Sequence, residues 1–252
     1  MKTYLSSFLV VCALFITSCA TAPKKTTDEA GILYEKLLVH NRRVYSLKGE
    51  AMVVYREPDR TLSFRGFVLS NEENGGFRLD LSDFVFNKPL VTVTRNGGAV
   101  LAVMHYRKAY YSASWEEINM KKITGFDIPR ELLISTVMGK VYAENTDCRT
   151  EGDVLILEGA GAYREHRVYF KDEVISRVVY GFEESEYEVL FQKYRAVEGI
   201  EFPQKIVVEM SGEGSVLEIL YSQVDLNRVS ETDDFSLDGV DLNNYENLSP
   251  GV

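Results

Sequence analysis

Cysteine and histidine are scarce in this chain, three of each in 252 residues. His40, His105 and His166 lie far apart and lack metal-ligand spacing, so no metal centre is expected. Cys148 stands alone in the body of the chain, which excludes an internal disulfide there and reads as a small buried hydrophobe. Basic residues are outnumbered: 28 Lys and Arg against 38 Asp and Glu leave a net charge of −10. With no basic stripe to offset that charge, the chain repels phosphate backbones, and nucleic acid is not an expected partner. The sequence has no Gly-x-Ser-x-Gly, no His-Glu-x-x-His and no phosphate loop, so neither an enzyme nor a cofactor is expected. Beyond the first 19 residues there is no long apolar run.

The start of the chain is different. A short basic opening, Met1-Lys2-Thr3, precedes an apolar run from Leu5 to Ile16, which is too short to span a bilayer. Ile16-Thr17-Ser18-Cys19 follows, one aliphatic and two small residues before a cysteine. This resembles the lipobox of bacterial lipoproteins. The resemblance implies a signal peptide over residues 1–18, cleavage before Cys19, and acylation of Cys19. Ala20-Thr21 follows without an aspartate in second place, which by the same resemblance points to the outer membrane. Acyl chains contribute about 0.8 kcal/mol per buried methylene, so two or three of them make a durable anchor. Residues 19–27 read as a polar lipidated tether.

From residue 28 the pattern is globular, with 45% hydrophobic and 12% aromatic residues. Ala30, Leu33, Leu37 and Val44 recur at helical intervals, predicting a helix over 28–43. Strand-like segments follow over 46–55, 61–70, 77–82, 90–95, 99–105 and 109–112. Ser114-Trp115-Glu116-Glu117 has the look of a capped short helix, and Pro129 suits the first position of another, running to Met138 with Gly139 behind it. Strands resume over 154–158, 162–170, 174–181, 186–194, 202–211 and 215–225. The segment 226–252 is acidic and is expected to be partly disordered. The prediction is one α+β domain over 28–225: a single open antiparallel β-barrel of about eleven strands, with helices covering its concave side. Several strands are apolar on both faces, so the sheet must be covered on both or line a pocket.

Three segments carry a resemblance to a known family. They are Ile123-Thr124-Gly125-Phe126-Asp127-Ile128-Pro129-Arg130-Glu131-Leu132-Leu133 ending at Met138-Gly139; Tyr187 to Ile206, with Tyr194 and Phe202-Pro203; and Gly49 followed by Phe77-Arg78-Leu79-Asp80-Leu81. Their order resembles that of the LolA/LolB lipoprotein carriers, and more closely LolB, the lipid-anchored receptor. That resemblance implies an unclosed barrel plugged by helices, with Pro129, Leu132 and Leu133 on a candidate lid helix. It also marks Phe84, Val85 and Phe86 as a candidate membrane or cargo loop, for which a continuous buried strand broken at Pro89 is the equal alternative.

The function so implied is a membrane-anchored periplasmic protein that accepts acyl chains or lipoproteins for outer-membrane insertion. A periplasmic carrier protein would be a further partner. A sensing or structural envelope lipoprotein, binding a protein partner without transport, is the alternative.

Overall fold

The protein is described from a computed structural model covering residues 28–143, 147–159, 163–182, 185–212, 214–229, 235–237 and 240–249. The expected signal peptide over 1–18, Cys19 and the expected tether over 19–27 lie outside the described residues. Helix α1 (Asp28–Arg43) leads into a meander of six strands: β1 (Ser46–Glu57), β2 (Arg60–Asn71), β3 (Gly76–Asp83), β4 (Pro89–Asn96), β5 (Ala99–Met104) and β6 (Ala109–Ser114). Two short helices follow, α2 (Met120–Thr124) and α3 (Arg130–Val137). The second meander comprises β7 (Cys148–Glu151), β8 (Val154–Glu158), β9 (Tyr163–Lys171), β10 (Val174–Phe182), β11 (Glu186–Val197), β12 (Ile200–Met210) and β13 (Ser215–Leu226), and β14 (Glu246–Asn247) comes last.

All fourteen strands form one sheet, in the order β14-β6-β5-β4-β3-β2-β1-β13-β12-β11-β10-β9-β8-β7. The first strand of one meander meets the last strand of the other: β1 pairs antiparallel with β13 from Leu47↔Leu226 to Arg56↔Val216. The hairpins follow local chemistry. Val197 and Ile200 pair across Glu198-Gly199, whose φ values of 54° and 79° are those of the two-residue turn that matches strand twist. Pro203 sits in β12 just beyond the last β13 partner, Lys205↔Leu220, where its missing N–H interrupts no ladder.

This corrects the expected architecture of about eleven strands with helices covering the concave side. The strands that pattern reading does not register are β7 (Cys-Arg-Thr-Glu) and β14 (Glu-Asn), which carry no apolar alternation and are strands only because a neighbour pairs with them. The three helices are 16, 5 and 8 residues long, too little to roof so wide a sheet. Ser114 does bond Glu117, through Oγ to Oε2 at 2.9 Å, but the segment makes a turn and the helix starts only after Asn119.

The sheet buries its inner face mainly by curling on itself. Alternate residues of β1 (Leu47, Ala51, Val53, Tyr55) share one continuous core with Leu79, Val93 and Ala102 on one wing and with Leu155, Val168, Val178, Val189 and Ile206 on the other. Each buried Val, Leu or Ile among them contributes about 1.5–3 kcal/mol. Helix α1 packs at the β7 and β8 edge, with Leu37 fully buried. A small second cluster lies on the outer face, where Val229 and Phe235, from beyond β13, cover Leu69 and Phe67.

Candidate functional site

Part of the concave face is covered by the connection between the two meanders, residues 119–143. Asn119 starts it by accepting the Lys122 N–H at Oδ1, 3.0 Å, and capping α2. Phe126 then packs its ring 5.0 Å from Tyr55 and 6.3 Å from Phe64. Pro129, half-buried, precedes α3 with an extended backbone (φ −54°, ψ 138°). Leu132 and Leu133 are both buried in the shared core. The structure thus places two of the three candidate lid residues in the interior and the third at the helix entrance.

Helix α3 ends in a Schellman motif. Lys140 N–H donates to Ser135 O (2.8 Å) and Gly139 N–H to Thr136 O (2.9 Å), around Gly139 at φ 68°. From there an extended stretch crosses the sheet interior, and side chains of many elements hold its backbone. Tyr221 of β13 donates from Oη to Val137 O at 2.5 Å. Ser70 of β2 donates to Met138 Sδ at 3.3 Å. His40 of α1 donates from Nε2 to Gly139 O at 2.9 Å. Asn41 clamps Val141 at both ends, accepting its N–H (3.0 Å) and donating to its carbonyl (2.8 Å). Tyr142 N–H donates to Tyr180 Oη at 3.0 Å. Lys140 reaches Glu72 at 2.5 Å; burial pushes its ammonium pKa down, and Glu72 partly restores it. Burial raises the pKa of Tyr221, so its hydroxyl stays protonated as a donor.

This plug is therefore small, packed into the core by its apolar side chains and fastened at its backbone by a handful of hydrogen bonds. Sequence reasoning missed its holders: His40, Asn41, Tyr180 and Tyr221. The signals for them were faint, two polar residues closing an otherwise amphipathic helix and tyrosines on apolar strand faces.

The Phe84-Val85-Phe86 loop joins β3 to β4. Its side chains are 42%, 73% and 74% exposed, which decides against a buried strand. The loop is well formed nonetheless. Asp83 Oδ1 accepts the N–H groups of Val85 (3.0 Å) and Phe86 (2.6 Å), and Asp83 N–H donates to Lys88 O (2.8 Å). Two cations stand over its rings, Arg65 at 5.8 Å from Phe84 and Lys88 at 5.8 Å from Phe86. The base of the loop adjoins the plug, since Asp83 pairs with Phe64, whose ring meets Phe126.

Further concavities lie away from the plug, two of which adjoin α1 and the loop. One of about 610 Å³ lies between Lys36, Val39, His40 and Arg43 of α1 and Phe170, Ile175 and Tyr194. The other, of about 740 Å³, is a groove beside the loop lined by Glu50, Met52, Arg65, Phe67 and Phe84. Cys148 is half-buried in β7, with its thiol pKa raised first by burial and then by Asp147, the wrong direction for a nucleophile. Among the described residues no group of three or more His, Cys, Asp or Glu side chains is placed to hold a metal ion.

No protein-family model matches the chain, and no curated protein matches it. Solved structures do. A LolA superfamily protein from Nitrosomonas europaea is similar at 15% identity and a TM-score of 0.51, over 78% of this chain and 94% of that one. An outer membrane lipoprotein-sorting protein domain from Vibrio parahaemolyticus matches at 10% identity and 0.61, over 82% and 95%. A DUF1329 family protein from Desulfovibrio piger matches at 15% and 0.52, over 84% and 98%. At these identities the likeness is one of fold: an open, curled LolA-type sheet.

Proposed function

We propose that this protein is a lipid-anchored receptor of the bacterial envelope that takes acyl chains, free or on lipoproteins, against the concave face of its sheet and passes them to the outer membrane. The observation that carries this reading is the plug. Part of a wide apolar face is covered by about 25 residues whose apolar side chains, Phe126, Leu132, Leu133 and Val137 among them, share the core, and whose backbone is fastened by side-chain hydrogen bonds each worth roughly 0.5–1.5 kcal/mol net. An acyl chain gains about 25 cal/mol per Å² of surface removed from water. A ligand of that kind replaces the apolar contacts it displaces, so that it has to offset chiefly the plug's hydrogen bonds. The lipobox-like segment supports the anchor, the exposed aromatic loop supports contact with a bilayer, and the LolA-type fold agrees with both.

The test is a reversible lock. In chain lacking the signal peptide and Cys19, with Cys148→Ser to avoid mispairing, Asn41→Cys and Val141→Cys are combined so that oxidation ties the plug to α1. A fluorescent fatty-acid probe is expected to bind the reduced form and not the oxidised one. Equal binding in both states, or none in either, ends this reading. For the anchor, Cys19→Ala in the full precursor is expected to leave the precursor uncleaved at this site or to release a soluble form, and the same acylated, membrane-bound product from that variant would end the anchor reading.

A further inference from the structure

The sheet's far edge is closed by the protein's own last described residues. After β13 the chain crosses the outer face, pinned by Val229 and Phe235 on Leu69 and Phe67 and by Arg78, which donates from Nη1 to Ser236 O at 3.1 Å. Residues 240–249 then lie along β6 as a strap. Glu246 N–H donates to Lys108 O (2.8 Å), Leu248 N–H to Tyr110 O (2.8 Å), and Ser112 N–H to Ser249 Oγ (2.8 Å). Tyr245 sets its ring edge-on to His105, 6.2 Å away, with its hydroxyl 3.3 Å from Nδ1. Leu248 packs against the main core.

This contact is specific in chemistry but thin in extent. The ladder is two residues long (Glu246↔Ala109, Asn247↔Tyr110), against a six-residue strand. It runs parallel, the less stable sense, in a sheet otherwise antiparallel. Both ladder residues are exposed, and at Ser112 a side chain does what a backbone carbonyl would do in a full strand. Edges are protected from aggregation by charge, a bulge or a covering helix or loop; the opposite edge has α1 against it, whereas this one is covered by a short strap making residue-specific contacts to His105 and Ser112.

We propose that the free side of β6 is a recognition site for an extended peptide of a partner polypeptide, and that residues 240–249 are its intramolecular stand-in. The strap spells out the pattern the site accepts: an aromatic residue for His105, two polar residues on the ladder, a leucine for the core margin, and a hydroxyl for the Ser112 amide. This is strand addition, in which backbone bonds supply affinity and side-chain positions supply choice. The tether raises the strap's effective concentration to around the millimolar range, so a partner segment must bind more tightly than the strap does or arrive at high local concentration. The site does not depend on the lipid-binding reading.

The experiment uses the mature chain with the strap released by Tyr245→Ala and Leu248→Asp. A fluorescein-labelled peptide of residues 240–249 is titrated in and followed by anisotropy. Saturable binding is expected to the released chain, at least about tenfold weaker binding to the unaltered chain, and at least about tenfold weaker binding of a peptide carrying the same two substitutions. In the unaltered chain, hydrogen exchange at Ser112 and Leu248 is expected to be at least about a hundredfold faster than at Leu101 in β5, reporting strap opening without global unfolding. Four results overturn the proposal: no binding to a released chain that keeps its strand circular dichroism; equal affinity for both chains; equal exchange protection at the two strands; or sedimentation showing that the unaltered chain is a dimer with exchanged straps. If the released chain does not fold, the exchange measurement alone decides.

Discussion

His40 and Gly139, 99 residues apart, are joined by a hydrogen bond from the imidazole Nε2 to the glycine carbonyl at 2.9 Å. A carbonyl only accepts, so Nε2 carries the proton and Nδ1 is free to gain or lose one. The ring is partly buried, and its pKa is lowered first by that burial; the Gly139 bond opposes the shift, while Arg43 and Lys140 add to it. The fold therefore holds His40 neutral at the point where helix α1 meets the plug.

A pH dependence follows with a definite sign. His105 is also lowered, by burial, with Asp80 opposing. For both groups the unfolded chain binds protons more readily than the folded one, so their contribution is present above the unfolded value of 6.5 and is lost as pH falls toward the lower folded values. Urea denaturation at pH 7.5 and pH 5.5 is expected to show lower stability at the acid value. His40→Gln is expected to reduce that difference. Carboxylates held low, such as Glu218, with burial outweighed by its bonds to Arg56 and Lys205, act only in a more acid window. Unchanged stability across the two pH values would contradict the burial assigned to both rings.

The plug's attachment to α1 rests most heavily on Asn41, which satisfies both backbone groups of Val141. Asn41→Ala removes both bonds and leaves a partly buried N–H and C=O without them. A loss of about 1–3 kcal/mol is expected. Amide exchange should accelerate at Val141 and Tyr142 before it does in β12. An acyl probe, on the proposed function, should then bind faster, because the lid opens more often.

These attachments show what a sequence can and cannot reveal. Helix α1 was legible, because its apolar positions Ala30, Leu33 and Leu37 recur at the helical interval. The hairpin between the expected strands 90–95 and 99–105 was legible too, because the intervening Asn96-Gly97-Gly98 carries its own turn chemistry, whereas Glu198-Gly199 lay between strands expected to end at 194 and to start at 202. The join of β1 to β13 was not, since Leu47↔Leu226 is set by the curl of the whole sheet and not by either strand's pattern. The same holds for β14, whose Glu-Asn pair has no strand propensity and is ordered by the β6 edge. At the plug, Leu132 and Leu133 stood out as apolar positions on a short helix, but the groups that fasten it come from several other elements and had no common signature.

Gly139 tests the Schellman turn and the close packing together. It sits at φ 68°, and a Cβ there would lie 2.9 Å from Phe202 Cε2 and 3.2 Å from Pro203. Gly139→Ala is expected to cost about 1–2 kcal/mol for the left-handed backbone alone, and more because the Phe202 ring is buried and has little room to yield. Gly125, also at positive φ (81°) but with nothing within 4 Å of its Cβ position, is the control. Gly125→Ala should show the backbone cost only. Chemical denaturation of both variants separates the two contributions, and equal losses would mean that Phe202 does not confine position 139.

The exposed loop gives the sharpest contrast with the plug. Phe86 is 74% exposed while Leu132 is 0% exposed. Truncating a residue like Leu132 creates a cavity, so Leu132→Ala is expected to cost about 2–5 kcal/mol. Phe84→Ser and Phe86→Ser should move stability by no more than about 0.5 kcal/mol, because their rings are not core. Arg65 and Lys88, set over those rings, add little to folding at such exposure, but they place positive charge beside the apolar residues. On the proposed function, that pairing lets the loop enter a bilayer whose surface is anionic. Transfer of an acyl probe from the protein to liposomes containing phosphatidylglycerol is therefore expected to slow markedly in Phe84→Ser and Phe86→Ser, at unchanged melting temperature. Arg65→Gln and Lys88→Gln should slow it mainly on anionic liposomes and have little effect on neutral ones. If transfer from the serine variants is as fast as from the unaltered chain, the loop has no role in membrane contact. If their melting temperatures fall as far as that of Leu132→Ala, the rings are structural, and the exposed position assigned to them is wrong.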